Sequence, residues 1–282
     1  MYRSIEKINF LKKLLIFLLI IFLFQCNLFA EYKRIISLAP SVTESLYELG
    51  MDDKLIANTT FCVDKQVKKE KIGTFTEPNI ERIVSLKPDL IIATKEGNNK
   101  AVVEKIIRLK LPVYVMETVS GFEDICNNFQ QLANFLDKTE TATKLISDVK
   151  HEINSVCEKR RMKTETVFWE VGANPLFTVG KQSYINDYDK FIGLENIFVD
   201  IDMRYPNISI EAVMKKNPDI IILVNMGDIT EKEIIKWNKY KTIPAVKNKK
   251  IFMLDANDIF MPTPKTFLRG LKILQKQLET VN

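Results

Sequence analysis

Two stretches of the chain share one pattern of polar and apolar positions. Residues 81–94 (ERIVSLKPDLIIAT) and 211–224 (EAVMKKNPDIIILV) each begin with Glu, continue as an amphipathic helix, reach Pro-Asp and end in an apolar run. Such a short run, rich in β-branched residues, is typical of a strand buried on both faces of a parallel sheet. Because helices rarely continue through the residue before proline, Pro88 and Pro218 predict where each helix ends. The repeat therefore predicts two similar α/β lobes.

Short apolar runs elsewhere predict further strands in both lobes. They lie at residues 34–38, 55–58, 113–116, 166–171 and 250–254. Amphipathic stretches predict helices at residues 122–136, 185–192 and 264–279. Another helix follows the first strand, where Ser41 and Glu44 have the spacing of a capping box and Gly50 is typical of a helix end.

A long helical stretch separates the two copies of the repeat. Between about Thr139 and Arg161 the apolar residues fall on one helical face, and no Gly or Pro interrupts them. Such a helix would be roughly 35 Å long. It is either a surface helix of one larger domain or a rigid rod between two lobes, and the repeat on each side favours the rod. We predict an α/β fold of two Rossmann-like lobes with mostly parallel sheets, joined by one long helix. Its segments are residues 1–30, 31–138, 139–162 and 163–282.

The first of these segments has the pattern of a signal peptide. A basic stretch precedes an apolar run at residues 14–24, which is shorter than the roughly 20 residues that span a bilayer. We predict cleavage after Ala30 and secretion to the periplasm. A lipoprotein anchored at Cys26 and an uncleaved membrane anchor are the alternatives.

Composition and motifs exclude several function classes. Without the predicted signal peptide the net charge of +5 falls to near neutrality, which provides no basic face for nucleic acid. Cys62, Cys126 and Cys157 have no CxxC spacing and His151 is the single histidine, so no zinc or iron–sulfur site is predicted. The odd number of cysteines leaves their pairing open. The sequence has no phosphate-binding loop, nucleophile elbow or HExxH motif, and we predict no enzymatic activity.

Aromatic residues recur in the segments that follow predicted strands. They are Phe61, Phe75, Phe177, Tyr205 and Phe260. Ligands of α/β folds bind beyond the carboxyl ends of the strands, where Pro40 and Ser41 also lie. Large flat side chains that face each other across a cleft would suit a large, partly apolar, planar ligand.

Longer segments of the chain resemble a known family. Those segments are RIISLAPSVTESLYELG, FCVDK, GTFTEPNIERIVSLKPDLIIAT, ANPLFTVGKQSYINDYDKFIGLENIF and YPNISIEAVMKKNPDIIIL. In content and order they are similar to the periplasmic Fe/cobalamin-binding proteins of ABC importers, most of all to the vitamin B12 (cobalamin)-binding members. The resemblance extends from Lys33 to the C-terminus. It implies a monomer with no catalytic activity, cofactor or resident metal, which holds its ligand between two lobes and delivers it to a permease driven by an ATPase.

The resemblance also implies roles for individual residues. A macrocyclic ligand would be flanked by Phe61, Phe75, Phe177 and Tyr205, with Asn257 as a polar contact. Pro40, Ser41 and Phe260 complete the predicted ligand-binding set. Glu81 and Glu211, one in each copy of the repeat, would dock onto arginines of the permease.

The chain departs from the cobalamin-binding pattern at a few of these places. Phe260 and Met261 stand where that pattern has charged residues, and Thr94 stands where it has tryptophan. The alternatives are therefore the same role for heme or a ferric siderophore, a metal-cluster enzyme built on related lobes, and a membrane-tethered interaction or sensor module.

Overall fold

The computed structural model describes residues 32–158, 164–225, 227 and 231–280. The predicted signal peptide, its cleavage site after Ala30 and Cys26 lie outside the described residues. Within the described part, no helix is long and apolar enough to cross a membrane.

The first lobe is built on a parallel five-stranded sheet. Its strands are β1 (Ile35–Ser37), β2 (Leu55–Asn58), β3 (Glu70–Lys71), β4 (Leu90–Thr94) and β5 (Val113–Met116), in the order β3-β2-β1-β4-β5. The helices of this half are α1 (Pro40–Glu48), α2 (Ile80–Ser85), α3 (Lys100–Arg108) and α4 (Phe122–Phe135). Every residue of β4 is buried, as expected for a strand with helices on both faces.

The second lobe contains a parallel four-stranded sheet and a short antiparallel hairpin. The strands are β6 (Glu165–Glu170), β7 (Gly172–Ala173), β8 (Leu176–Phe177), β9 (Leu194–Asn196), β10 (Ile220–Asn225) and β11 (Ile251–Asp255). The sheet has the order β11-β10-β6-β9, and β7 pairs with β8. The helices are α6 (Asn186–Ile192), α7 (Ile210–Lys216), α8 (Glu231–Trp237), α9 (Pro244–Lys247), α10 (Ala256–Ile259) and α11 (Pro264–Glu279). Two mostly parallel α/β lobes are therefore confirmed.

The two copies of the sequence repeat fold in the same way. In each copy the helix (α2 or α7) ends before a residue with positive φ, Lys87 at 48° or Asn217 at 53°. Proline follows, and the buried strand β4 or β10 begins two residues later. Pro88 and Pro218 thus mark the junctions that the sequence predicts.

The long helix α5 (Thr139–Cys157) connects the two halves. Its apolar face, which includes Leu145 and Val149, is buried, and the helix packs against α4, α6 and α11. A single continuous apolar core includes this face together with residues of both sheets. The helix ends at Cys157, with Glu158 as its C-cap, so it is shorter than the predicted residues 139–162. Residues 159–163 lie outside the described part. The proposed division of the chain at residues 138 and 162 stays a prediction.

The capping box predicted at the start of α1 is wrong. The N-cap is Ala39, which makes no side-chain capping bond, and Pro40 occupies the first turn. Proline suits the first helical position because its φ is already fixed near the helical value, and the helix begins two residues earlier than a Ser41 cap requires. The Glu44 carboxylate instead accepts from Lys65 Nζ at 3.0 Å. Gly50, with φ of 69°, lies just beyond the helix end as predicted.

Candidate functional site

A cavity of about 420 Å³ lies beyond the carboxyl ends of β1, β4 and β6. From the first lobe it is lined by Ala39, Pro40, Ser41, Phe75, Thr94, Glu96 and Gly97. From the second lobe it is lined by Val171, Phe177, Tyr184, Tyr205, Phe260 and Pro262. The cavity is therefore formed jointly by both lobes, and its walls are mostly apolar and aromatic.

The second-lobe wall carries three aromatic residues that the sequence singles out. The rings of Tyr205 and Phe260 meet edge to face, with centroids 5.8 Å apart. We had expected Phe177 to lie in a loop, but it belongs to strand β8. The hairpin is fixed at this point because the N–H of Val171 donates to the carbonyl of Phe177 at 3.0 Å.

The first-lobe wall contains Phe75, which Asn98 holds in place. The Asn98 side-chain amide donates to the carbonyl oxygens of Phe75 at 2.7 Å and Leu38 at 2.8 Å. Its oxygen accepts from the N–H of Thr94 at 2.8 Å. One half-buried side chain thus joins the Phe75 loop to the ends of β1 and β4. Asn98 was not predicted from the sequence, although it follows strand β4 closely.

The structure brings together six of the eight residues proposed as ligand contacts: Pro40, Ser41, Phe75, Phe177, Tyr205 and Phe260. Phe61 does not line the cavity, but its ring packs against Phe75 with centroids 5.6 Å apart. Asn257 is exposed in α10, where its N–H donates to Asp255 and its carbonyl accepts from Arg269, and it does not line the cavity. The ligand-binding role of all eight residues stays a prediction.

An ion pair between the lobes was also missed. Arg204, from the segment before α7, donates to the carboxylate of Glu96 and to the carbonyl oxygen of Val119 at 2.8 Å. The two side chains of the pair are only 21% and 22% exposed. Burial raises the pKa of Glu96, whereas the charge and hydrogen bond of Arg204 lower it. Glu96 lies two residues after β4. The rule that ligands bind beyond the carboxyl ends of parallel strands could therefore have pointed to it.

The two tyrosines that line the cavity carry no charge. Tyr184 Oη donates to the carbonyl oxygen of Ile259 at 2.8 Å. Burial raises the pKa of both Tyr184 and Tyr205 above the ordinary value. Neither phenol therefore ionises near neutral pH.

The described residues contain no cluster of side chains that could bind a metal ion. No group of three or more His, Cys, Asp or Glu side chains there could hold a metal ion. Cys62, Cys126 and Cys157 form no disulfide with one another, and His151 is exposed on α5. Burial raises the pKa of Cys126 to about 12, so this thiol stays protonated.

Glu81 and Glu211 occupy equivalent positions in the two lobes. Each is exposed in the first turn of its helix, after an N-cap residue whose side chain accepts a backbone N–H. The N-caps are Asn79, which accepts at 2.9 Å, and Ser209, which accepts at 3.2 Å. Anionic side chains are favourable in the first turn of a helix, so the placement also has a local electrostatic reason. The docking role of the two glutamates stays a prediction.

Comparison with known proteins places this geometry in a family. Residues 35–257 match the family model described as periplasmic binding protein. The chain is 33% identical over 243 residues to a vitamin B12-binding protein of Vibrio vulnificus. The aligned region covers 85% of this chain and 88% of that protein.

Two solved structures have the same fold. A possible iron-binding (periplasmic solute-binding) protein of Staphylococcus epidermidis is 29% identical, with a TM-score of 0.76 over 88% of this chain and 99% of that one. The periplasmic vitamin B12-binding protein of Vibrio cholerae is 26% identical, with a TM-score of 0.74 over 89% and 98%. The family match spans most of both lobes, so the chain belongs to the periplasmic binding protein family.

Proposed function

We propose that this protein is the extracytoplasmic substrate-binding component of an ABC importer, and that it captures a corrinoid between its two lobes. The observation that carries the proposal is the convergence of aromatic side chains from both lobes on one cavity beyond the strand ends. The names of its relatives from Vibrio vulnificus and Vibrio cholerae support the choice of a corrinoid.

The size and walls of the cavity suit one face of a large ring. Its volume of about 420 Å³ lies within the range of small-molecule pockets, roughly 300–1,000 Å³. Phe75 on one wall and the Tyr205–Phe260 pair on the other present flat apolar surfaces to a bound macrocycle. A corrinoid is larger than a drug-sized ligand, so its ring would extend out of the cavity towards Phe61.

The cavity residues favour a corrinoid over heme. A heme-binding protein usually supplies an axial ligand such as His or Tyr to the iron. His151 is exposed on the surface of α5, and the hydroxyl of Tyr184 is engaged in a hydrogen bond to the carbonyl oxygen of Ile259, so neither side chain is offered to a heme iron in this cavity. A corrinoid can carry its own axial ligands and needs none from these residues.

The wider role follows from this proposal. The protein acts outside the cytoplasm as a monomer, performs no catalysis and uses no cofactor, because the corrinoid is cargo. After capture it delivers the ligand to a permease driven by its ATPase, with Glu81 and Glu211 as the docking residues.

Calorimetric titration of the purified protein tests the proposal. Cyanocobalamin, cobinamide, hemin and a ferric hydroxamate siderophore are titrated in parallel under the same conditions. We expect micromolar or tighter binding of a corrinoid, and weaker binding of hemin and the siderophore. If only hemin or the siderophore binds, that compound replaces the corrinoid as the proposed ligand. If none of the four probes binds, the capture role is refuted.

A further inference from the structure

Glu96 is the only charged residue among the described residues that line the cavity. The other lining residues are apolar, aromatic or neutral polar side chains, so the ion pair of Glu96 with Arg204 lies beside a cavity that is otherwise poor in charge. Interactions with a charge are stronger in such an environment than in water. A group on a ligand that approaches Glu96 therefore has a large effect on affinity.

Arg204 does not offer a compensating positive charge to a ligand. Nη1 of its guanidinium is directed to the first lobe, where it donates both to Glu96 and to the carbonyl oxygen of Val119. The residue itself does not line the cavity. Moving Nη1 of Arg204 towards an anionic ligand would break both contacts and leave the half-buried Glu96 without its ion pair, which is costly.

The carboxylate of Glu96 retains the capacity to accept further hydrogen bonds. A carboxylate has two oxygens with about four acceptor sites, and Arg204 and a backbone hydrogen bond from Val119 occupy only part of them. An amide N–H of a ligand could donate to the remaining sites in a charge-assisted hydrogen bond. A ligand carboxylate in the same place would be repelled by the like charge of Glu96. The same residue would therefore favour an amide and disfavour a carboxylate.

We infer that Glu96 is a specificity-determining residue, which selects a macrocycle whose rim carries carboxamides and rejects one whose rim carries carboxylates. Natural corrinoids bear primary amides around the ring, whereas heme bears two propionate groups. The inference rests on the proposed function, since it concerns the polar contact made by a ligand in the same cavity. It adds a reason for ligand choice that the aromatic walls do not supply, because flat rings of either kind would suit those walls.

A matched pair of probes isolates this effect from the identity of the ring. Cyanocobalamin is compared with its mono-acids, in each of which one peripheral amide has been hydrolysed to a carboxylate, with the positional isomers tested separately. We expect the wild-type protein to bind cyanocobalamin at least about tenfold more tightly than the mono-acid whose carboxylate lies nearest Glu96. In Glu96→Gln that ratio should fall towards one, because the charge is lost while the shape is kept.

Two further variants keep the test decisive. Glu96→Ala provides a second variant without the charge, and thermal unfolding confirms that each variant is folded. Glu117→Gln is the matched control, since Glu117 pairs with Lys95 in the same region but does not line the cavity, and its ratio should equal that of wild type.

An unchanged ratio in both Glu96 variants, or a wild-type protein that does not discriminate against any mono-acid, overturns the inference and leaves the proposed function intact. If the wild type binds no corrinoid at all, the proposed function fails instead.

Discussion

The ring of Phe61 meets the ring of Phe75 edge to face, with centroids 5.6 Å apart and planes inclined by 63°. Phe75 lines the cavity, whereas Phe61 lies outside it with 58% of its surface exposed. The two rings together extend the aromatic wall from the cavity to its rim.

Replacing Phe75 by alanine should weaken corrinoid binding more than replacing Phe61. Loss of one stacking face costs about 1–3 kcal/mol in nucleic acid complexes, which corresponds to roughly 5- to 150-fold in affinity. We expect Phe75→Ala to lie in this range and Phe61→Ala to show a smaller loss, since Phe61 meets only the part of the ring that leaves the cavity. Calorimetric titration with cyanocobalamin measures both.

Ile107→Ala is the control for these two variants, because Ile107 is an exposed apolar residue on α3 that does not line the cavity. It should bind like wild type. If Phe75→Ala also binds like wild type, the ligand does not occupy this wall.

Asn98→Ala should reduce ligand affinity although Asn98 does not line the cavity. The substitution removes the donor that holds the carbonyl of Phe75, so the aromatic wall loses its fixed position. The lost hydrogen bonds should also lower the free energy of unfolding by about 1–3 kcal/mol. Affinity by calorimetry and stability by urea unfolding are measured on the same variant.

The neighbouring Asn99 separates positioning from stability alone. Asn99 is the N-cap of α3, and its side chain accepts from the N–H of Ala101 at 3.0 Å. Asn99→Ala should cost about 1 kcal/mol of stability without a change in affinity. Equal affinity losses in the Asn98 and Asn99 variants would mean that destabilisation, and not the position of Phe75, controls binding.

The repeated motif was predictable because its information is local. The order of Glu, helix, Pro-Asp and apolar run specifies each helix end and each buried strand over fourteen residues. What the pattern does not reveal is the role of its aspartates. Asp89 accepts from the N–H groups of Lys33 and Arg34, and Asp219 accepts from the N–H and hydroxyl of Thr166, so each fixes the start of its lobe's central strand.

The cavity was only partly predictable, for a physical reason. Aromatic residues after strands mark its walls, because the strand ends of a parallel sheet converge. The Glu96–Arg204 pair joins residues 108 positions apart, and no periodicity in the sequence relates them. The capping box was wrong for a local reason, since Pro40 is the first residue of α1 and Ala39 is therefore the N-cap.

Glu48 should make the protein less stable as the pH rises. Its carboxylate accepts from the hydroxyl of Thr263, and its second oxygen has no hydrogen-bond partner among the described residues. Burial raises the pKa of Glu48 from 4.5 to about 7, with Glu44 adding to the rise and Lys265 opposing it. The folded protein thus holds a proton that the unfolded chain releases. The stabilisation is complete below pH 4.5 and is lost as the pH rises through about 7, by at most about 3 kcal/mol.

Urea unfolding of wild type and Glu48→Gln at pH 5 and pH 8 measures this effect. The variant resembles the protonated side chain, so it should match wild type at pH 5 and exceed it at pH 8. Part of the decline should remain, because burial raises the pKa of Glu170 to about 7 as well. A variant whose stability falls with pH as steeply as that of wild type would contradict the assignment to Glu48.

Reversing the charges of Glu81 and Glu211 together should impair delivery of the ligand while leaving its capture intact. The two carboxylates are exposed at equivalent helix starts, one in each lobe, and lie outside the cavity lining. Complementary charges at the rim of an interface control association rate and its salt dependence. We expect Glu81→Lys/Glu211→Lys to bind cyanocobalamin like wild type, to stimulate the reconstituted transporter's ATPase less and to lose most of the salt dependence of that stimulation. Glu140→Lys, a reversal in the first turn of α5, is the matched control and should behave like wild type in both assays. Full stimulation by the double variant would place the docking surface elsewhere on the protein.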